Sequence, residues 1–135
     1  MNALHIPVSF GEATDKVTIL EIKRERIVDP AKVAHIEAEL RMVRDLLLGR
    51  THGAAGFGPL FHKLKSINGR LWEIEEKIRD CERRSDFGAE FIELARAVYQ
   101  TNDERARVKR ALDVLFDSAV FEEKSYIEHA DPGSF

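Results

Sequence analysis

The sequence is poor in the features that mark secreted, membrane and metal-centred proteins. A single cysteine, Cys81, rules out an intramolecular disulfide, and its place among apolar residues gives it the role of a small core side chain in a reducing compartment. No stretch approaches the roughly 18 consecutive apolar residues of a membrane span. The opening MNALHIPVSF has no basic run followed by a long apolar one, so neither export nor insertion is signalled and a cytoplasmic protein is expected. Charge of one sign is not in excess either. The 21 Lys and Arg oppose 24 Asp and Glu, a net charge of -3 that excludes a surface-wide attraction to phosphate backbones.

Catalytic and metal motifs are equally scarce. The five histidines, His5, His35, His52, His62 and His129, form no His-x-x-x-His or Glu-x-x-His pair, so neither a metal nor a cofactor is expected. Gly53 to Gly58 has the spacing of a phosphate loop, but Pro59 stands where that loop needs lysine and no strand precedes it. No serine sits in a nucleophile elbow, and Cys81 is far in sequence from any histidine, which argues against an enzyme and leaves no catalytic residue to name. The strongest basic cluster is Arg105, Arg107, Lys109 and Arg110. Only Arg107 and Arg110 face outward on a helix, which makes nucleic-acid binding a third choice.

What is present is helical periodicity. A length of 135 residues, 44% hydrophobic and 33% charged, suits one domain with a core that needs no staples. Residues 1–8 read as a short extended arm, with Leu4, Ile6 and Val8 packing one side against the body around Pro7. Ser9 and Glu12 have capping-box spacing and start a first helix that runs to about Val28. Asp29-Pro30 caps a second helix of residues 30–48, with Val33, Ile36, Leu40, Val43 and Leu47 on its apolar face and Gly49 as its C-terminal glycine. GRTHGAAGFG is then the one extended loop, expected to be mobile.

A third helix follows from Pro59 to Arg84, with the seam Leu60, Leu64, Ile67, Leu71, Ile74, Ile78 and Cys81 in a four-three repeat suited to antiparallel packing. A fourth begins near Gly88 and carries Phe91, Leu94 and Val98, then Leu112 and Phe116. Thr101 and Glu104 repeat the capping-box spacing, and continuity with a kink is expected over a break. The expected fold is an all-α antiparallel bundle of four to five helices with one or two long ones. It spans residues 9–129, with residues 130–135 fraying.

Polar residues in apolar arcs are the informative anomaly. On the fourth helix Asn102, Arg105 and Lys109 lie in the arc of Phe91, Leu94, Val98, Leu112 and Phe116, so carboxylates or a ligand must meet them. On the first helix Lys16 and Lys23 project between two apolar arcs, Asp15 and Arg26 fall on the second, and Thr18, Glu21 and Glu25 are left as the solvated face. Asn68, Trp72, Glu75 and Arg79 form a stripe beside the third helix's seam. Asp15 and Glu75 are the expected partners of Arg105 and Lys109. Trp72 on its own reads as packing.

The strings PVSFGEATDKVTILEIKRERI, LWEIEEKIRDCE, FIELARAVYQTNDERARVKR and EEKSY closely resemble a family of small bacterial proteins catalogued as a domain of unknown function. The likeness spans roughly Ile6 to Tyr126. It implies that Asp15, Lys16, Glu21, Lys23, Trp72, Glu75, Arg79, Tyr99, Asn102, Asp103 and Lys109 belong to the family's motif strings, and that the glycine-rich loop does not. The expected function is a non-enzymatic helical interaction module with an interior polar network, whose partner is a second copy or another helix. The alternative is a small-anion site or enzyme between the first, third and fourth helices, in which Lys23, Arg79, Arg105 and Lys109 clamp charge and Glu75 acts as acid or base.

Overall fold

The computed structural model describes residues 2–123. Four helices follow in order: α1 (Phe10–Arg26), α2 (Pro30–Thr51), α3 (Phe57–Arg83) and α4 (Ala89–Leu115). No strand occurs among the described residues. The all-α expectation holds, with two long helices of 27 residues each. α1 packs against each of the other three, and α3 packs against α4 as a long hairpin.

Each boundary has a local cause. The Ser9 hydroxyl accepts the Glu12 N–H and caps α1. Pro30 begins α2 where its missing N–H costs nothing. α3 and α4 both end in a Schellman turn: the Asp86 N–H reaches the Cys81 carbonyl and the Ser118 N–H reaches the Asp113 carbonyl. The left-handed positions of these turns hold Ser85 and Asp117, at φ 52 and 49, where glycine is usual. α4 passes Thr101 without a break, and Thr101 itself is buried.

The apolar core is one cluster drawn from all four helices. Val17 and Leu20 of α1, Leu40 and Leu47 of α2, Phe57, Leu64 and Ile67 of α3, and Val108 and Leu112 of α4 are buried together. The hairpin is not uniform along its length. Ile74, Ile78, Phe91, Leu94 and Val98, on its distal half, are only half-buried and lie outside that cluster. Phe87 and Ile92 beside them are 52% and 55% exposed.

Several expectations are corrected. α2 runs through Gly49 to Thr51, because Leu47 and Thr51 are both buried one turn apart and hold the helix past the glycine. The glycine-rich connection therefore shrinks to residues 52–56, and Phe57 enters the core at once. The arm does not pack: Leu4 is 95% and Ile6 73% exposed. Beyond the arm, the Phe10 ring stacks on Phe116 with centroids 4.7 Å apart and lies beneath the Arg50 guanidinium. The expected domain end at residue 129 and the tail of residues 130–135 lie outside the described residues.

Candidate functional site

The site is built where α1 crosses α3 and α4. Asp15 is buried at its centre. One of its carboxylate oxygens accepts the Arg105 Nε–H at 2.8 Å and an Asn68 Nδ2–H at 2.9 Å, while the other accepts Arg105 Nη2. Asn68 also donates to the Thr18 hydroxyl at 2.9 Å, and that hydroxyl donates to the Asp15 backbone carbonyl at 2.7 Å. Arg105 is further held by Asn102, whose side-chain oxygen accepts Nη1 at 3.4 Å.

A buried carboxylate is tolerable only when it is paired and its remaining lone pairs are hydrogen-bonded. The two-pronged guanidinium together with the Asn68 amide meets both conditions. The Asp15 hydrogen bond holds the Arg105 guanidinium above its ordinary value, against the opposing effect of burial. Among the described residues no buried side-chain nitrogen or oxygen lacks a hydrogen-bond partner.

One turn along α4, Lys109 closes a second pairing. Its side chain is 13% exposed and contacts Glu12 at 2.9 Å and Glu122 at 3.0 Å. Burial pushes this ammonium down, but the two carboxylates outweigh it and leave the group raised. The remaining partner expected from sequence, Glu75, does not take part: it is exposed and lies 3.9 Å from Arg79 on its own helix. Glu75 lines the same cleft as Arg105 but its only ion pair among the described residues is with Arg79.

A third element had no signal in the periodicity. Gly11 lies against α4 so closely that a Cβ there would come 2.3 Å from the Lys109 carbonyl oxygen. The Gly11 N–H donates to Asp113 at 2.7 Å, and the Phe10 N–H donates to the Ser118 hydroxyl at 3.1 Å. With the Ser9 cap, the first three orphan N–H groups of α1 are all satisfied, two of them by the end of α4. The Schellman turn at Asp117 sets Ser118 beside Asp113. A helix N-terminus thus receives a carboxylate of the same chain, the arrangement that elsewhere receives an anion.

The other candidates fall at the margin. Lys16 pairs with Glu39 of α2 at 3.0 Å, and Arg26 with Glu73 of α3 at 3.2 Å. Lys23 is half-buried and has no ion pair among the described residues. The half-buried Trp72 donates its Nε1–H to Glu76 at 2.8 Å. Tyr99 is half-exposed and Asp103 buried. The face of α1 expected to be solvated is so only at Glu25: Thr18 is fully buried, and Glu21 lies 3.4 Å from Lys65 of α3. α1 meets neighbours on three sides, so few of its positions are left for water.

The pattern of a family of unknown function (DUF6165) matches residues 4–134. The chain belongs to that family. No curated protein and no solved structure matches it. All the polar contacts above fall within the span of the family match, as does the exposed arm from Leu4 onward.

Two open clefts flank the Asp15–Arg105 pair. One, of about 610 Å³, runs along α4 past Val98, Asn102, Ala106, Lys109 and Arg110 to Glu122. The other, of about 590 Å³, lies between α1, α3 and α4, with Ile19, Ile22, Leu71 and Trp72 for its apolar wall and Glu75, Arg79, Asn102 and Arg105 for its polar one. No group of three metal-ligating side chains occurs among the described residues, and no helix is long and apolar enough to cross a membrane.

Proposed function

We propose that this chain is a non-enzymatic helical interaction module of the bacterial cytoplasm, homodimeric through the distal half of the α3–α4 hairpin, where two copies pack in coiled-coil fashion. One observation carries the reading. Ile74, Ile78, Phe91, Leu94 and Val98 form a helix seam that only two helices share, flanked by exposed Phe87 and Ile92. Two helices alone cannot enclose such a seam, and a third or fourth helix supplies the missing wall in bundles. The buried Cys81 thiol, pushed up by desolvation, suits a reducing compartment.

The polar cluster supports the same reading from the other side. Arg105 and Lys109, which an anion would need, already face Asp15, Glu12 and Glu122, so an incoming anion would have to displace carboxylates of this chain. The network acts as a register lock between α1 and the hairpin.

Light scattering on a size-exclusion column tests the proposal. The chain is expected to elute as a dimer, and Ile92→Glu, which touches only an exposed side chain, is expected to shift it to monomer with its melting temperature in the monomeric state unchanged. A strict monomer at high concentration would remove the homodimer. A thermal-shift screen of anionic metabolites that produced a hit, lost in Arg79→Ala or Lys109→Ala, would favour a ligand site instead.

A further inference from the structure

We infer that two copies overlap antiparallel along residues 75–84, so that the hairpin tip of each seats Phe87 in the other's cleft against Ile22, Leu71 and Trp72. The inference rests on the homodimer proposed above and fixes its register. The charge pattern comes first. Residues 75–84 read EEKIRDCERR. Laid beside its own reverse, this segment sets Glu75 level with Arg84, Glu76 with Arg83, Lys77 with Glu82 and Arg79 with Asp80. Every charge in it then stands level with an opposite one, and the two-fold axis passes between Arg79 and Asp80. A slip of one residue brings Arg79 level with itself in one direction and Asp80 with itself in the other, and a parallel pairing sets every charge against its own copy. Like charges held level repel, so one register and one direction are selected. All of these side chains except the half-buried Asp80 are exposed, and Lys77 and Glu82 have no ion pair within the chain among the described residues.

The fold leads to the same register from another side. α1 lies along α3 as far as Glu73, where Arg26 meets it at 3.2 Å, and beyond that the hairpin runs uncrossed to its turn. Two uncrossed lengths laid side by side overlap fully when the turn of one reaches the end of α1 on the other. About the axis between Arg79 and Asp80, that puts Phe87 of one copy level with Trp72 of the other, each about 11 Å from the axis at ~1.5 Å per residue. The cleft of about 590 Å³ lies at this level. It runs from Ile19 and Asn68 at the crossing out to Glu75 and Arg79 on the distal half, with the buried Ile22 and the half-buried Leu71 and Trp72 as its apolar wall. Phe87 is 52% exposed and touches Phe91 of its own chain edge-on, with centroids 5.3 Å apart, which leaves much of its ring to meet Trp72. Arg84, beside it in the turn, then stands level with Glu75 on the rim.

Trp72 is the single tryptophan of the chain, so its fluorescence reads the socket directly. A full-length chain carrying Trp72→Phe and Phe87→Cys, labelled with a nitroxide at the introduced thiol, is mixed in excess with the parent chain. Emission then comes only from one copy and the quencher sits only on the other, while the buried Cys81 escapes the label. The control carries the nitroxide at Ala38→Cys, on the exposed side of α2. The expected result is loss of most Trp72 emission in mixed dimers and none with the control. Charge variants test the register without touching the socket. Lys77→Glu and Glu82→Lys are each expected to weaken the dimer about fivefold, because symmetry sets two like-charge pairs level in each, and together to restore the parent's dissociation constant. Light scattering on the same samples separates the failures. A dimer with unquenched Trp72, or a double variant weaker than either single one, would overturn the register and the socket and leave the homodimer standing. A strict monomer would remove both.

Discussion

The two halves of the α3–α4 hairpin carry the same apolar repeat, yet they differ in what lies across them. The proximal half is crossed by α1. There the seam residues Leu64 and Ile67 are fully enclosed, and the buried Asp15 carboxylate and the Gly11 N–H are met across the crossing by Asn68, Arg105 and Asp113. The distal half has no crossing helix, and Ile74, Ile78, Phe91, Leu94 and Val98 stay half-buried although their spacing is as regular, while the small Cys81 at the end of the seam is enclosed. Periodicity therefore sets which side of a helix is apolar, and the neighbour sets whether that side is finished. Polar side chains follow the crossing helix: they are buried where α1 passes and solvated where it does not, as with Glu75 and Arg79.

Removing the centre of the crossing should have the largest effect. Asp15→Ala leaves Arg105 and Asn68 without their acceptor and is expected to cost about 3–5 kcal/mol in urea unfolding. Adding Arg105→Met to that variant should recover most of the loss. If the single variant were neutral, the crossing would not be held by this network. Gly11→Ala comes next, at about 1–3 kcal/mol, because the added methyl meets the backbone of α4, which cannot rotate aside. A melting curve unchanged by that methyl would show that α1 can slide on α4.

In the distal half the expected loss is smaller. Ile78→Ala should cost about 1–2 kcal/mol in the monomeric state, below the ~2–5 kcal/mol of a fully buried aliphatic residue, and a value in the upper range would mean the seam is already closed. The smallest effect is electrostatic and sits at the edge of the crossing. The Lys65 ammonium holds Glu25 below its ordinary value of 4.5, while Lys65 itself is raised. The folded carboxylate thus contributes stability that is complete above about pH 4.5 and is lost as pH falls through its lower folded value. Glu25→Gln should lower stability slightly near neutrality, by the small amount expected of a half-exposed pair, and should converge with the parent chain in acid, which flattens the pH dependence on that side.

How much of this was legible in the sequence divides along the same line. The α3 seam and the continuity of α4 could be read because apolar spacing reports a helix's own face. The Asp15–Arg105 pair could be anticipated because a cation in an apolar arc demands a carboxylate. Thr18 and Glu21 could not be placed, since a helix with neighbours on three sides has no clean polar face. Gly11 gave no signal, because close approach of two backbones leaves no period, only a residue without a Cβ. Gly49 misled for the opposite reason: glycine is common after helices, but buried Leu47 and Thr51 carry α2 through it.

Native-state hydrogen exchange resolved along the hairpin, at a concentration where the chain is monomeric, tests the central claim most directly. Amides of residues 74–82 and 90–98 are expected to open at a lower free energy than those of residues 14–22 and 101–112, which should exchange only through global unfolding. Equal protection of both halves at the global value would contradict the account, because the distal seam would then need no further partner.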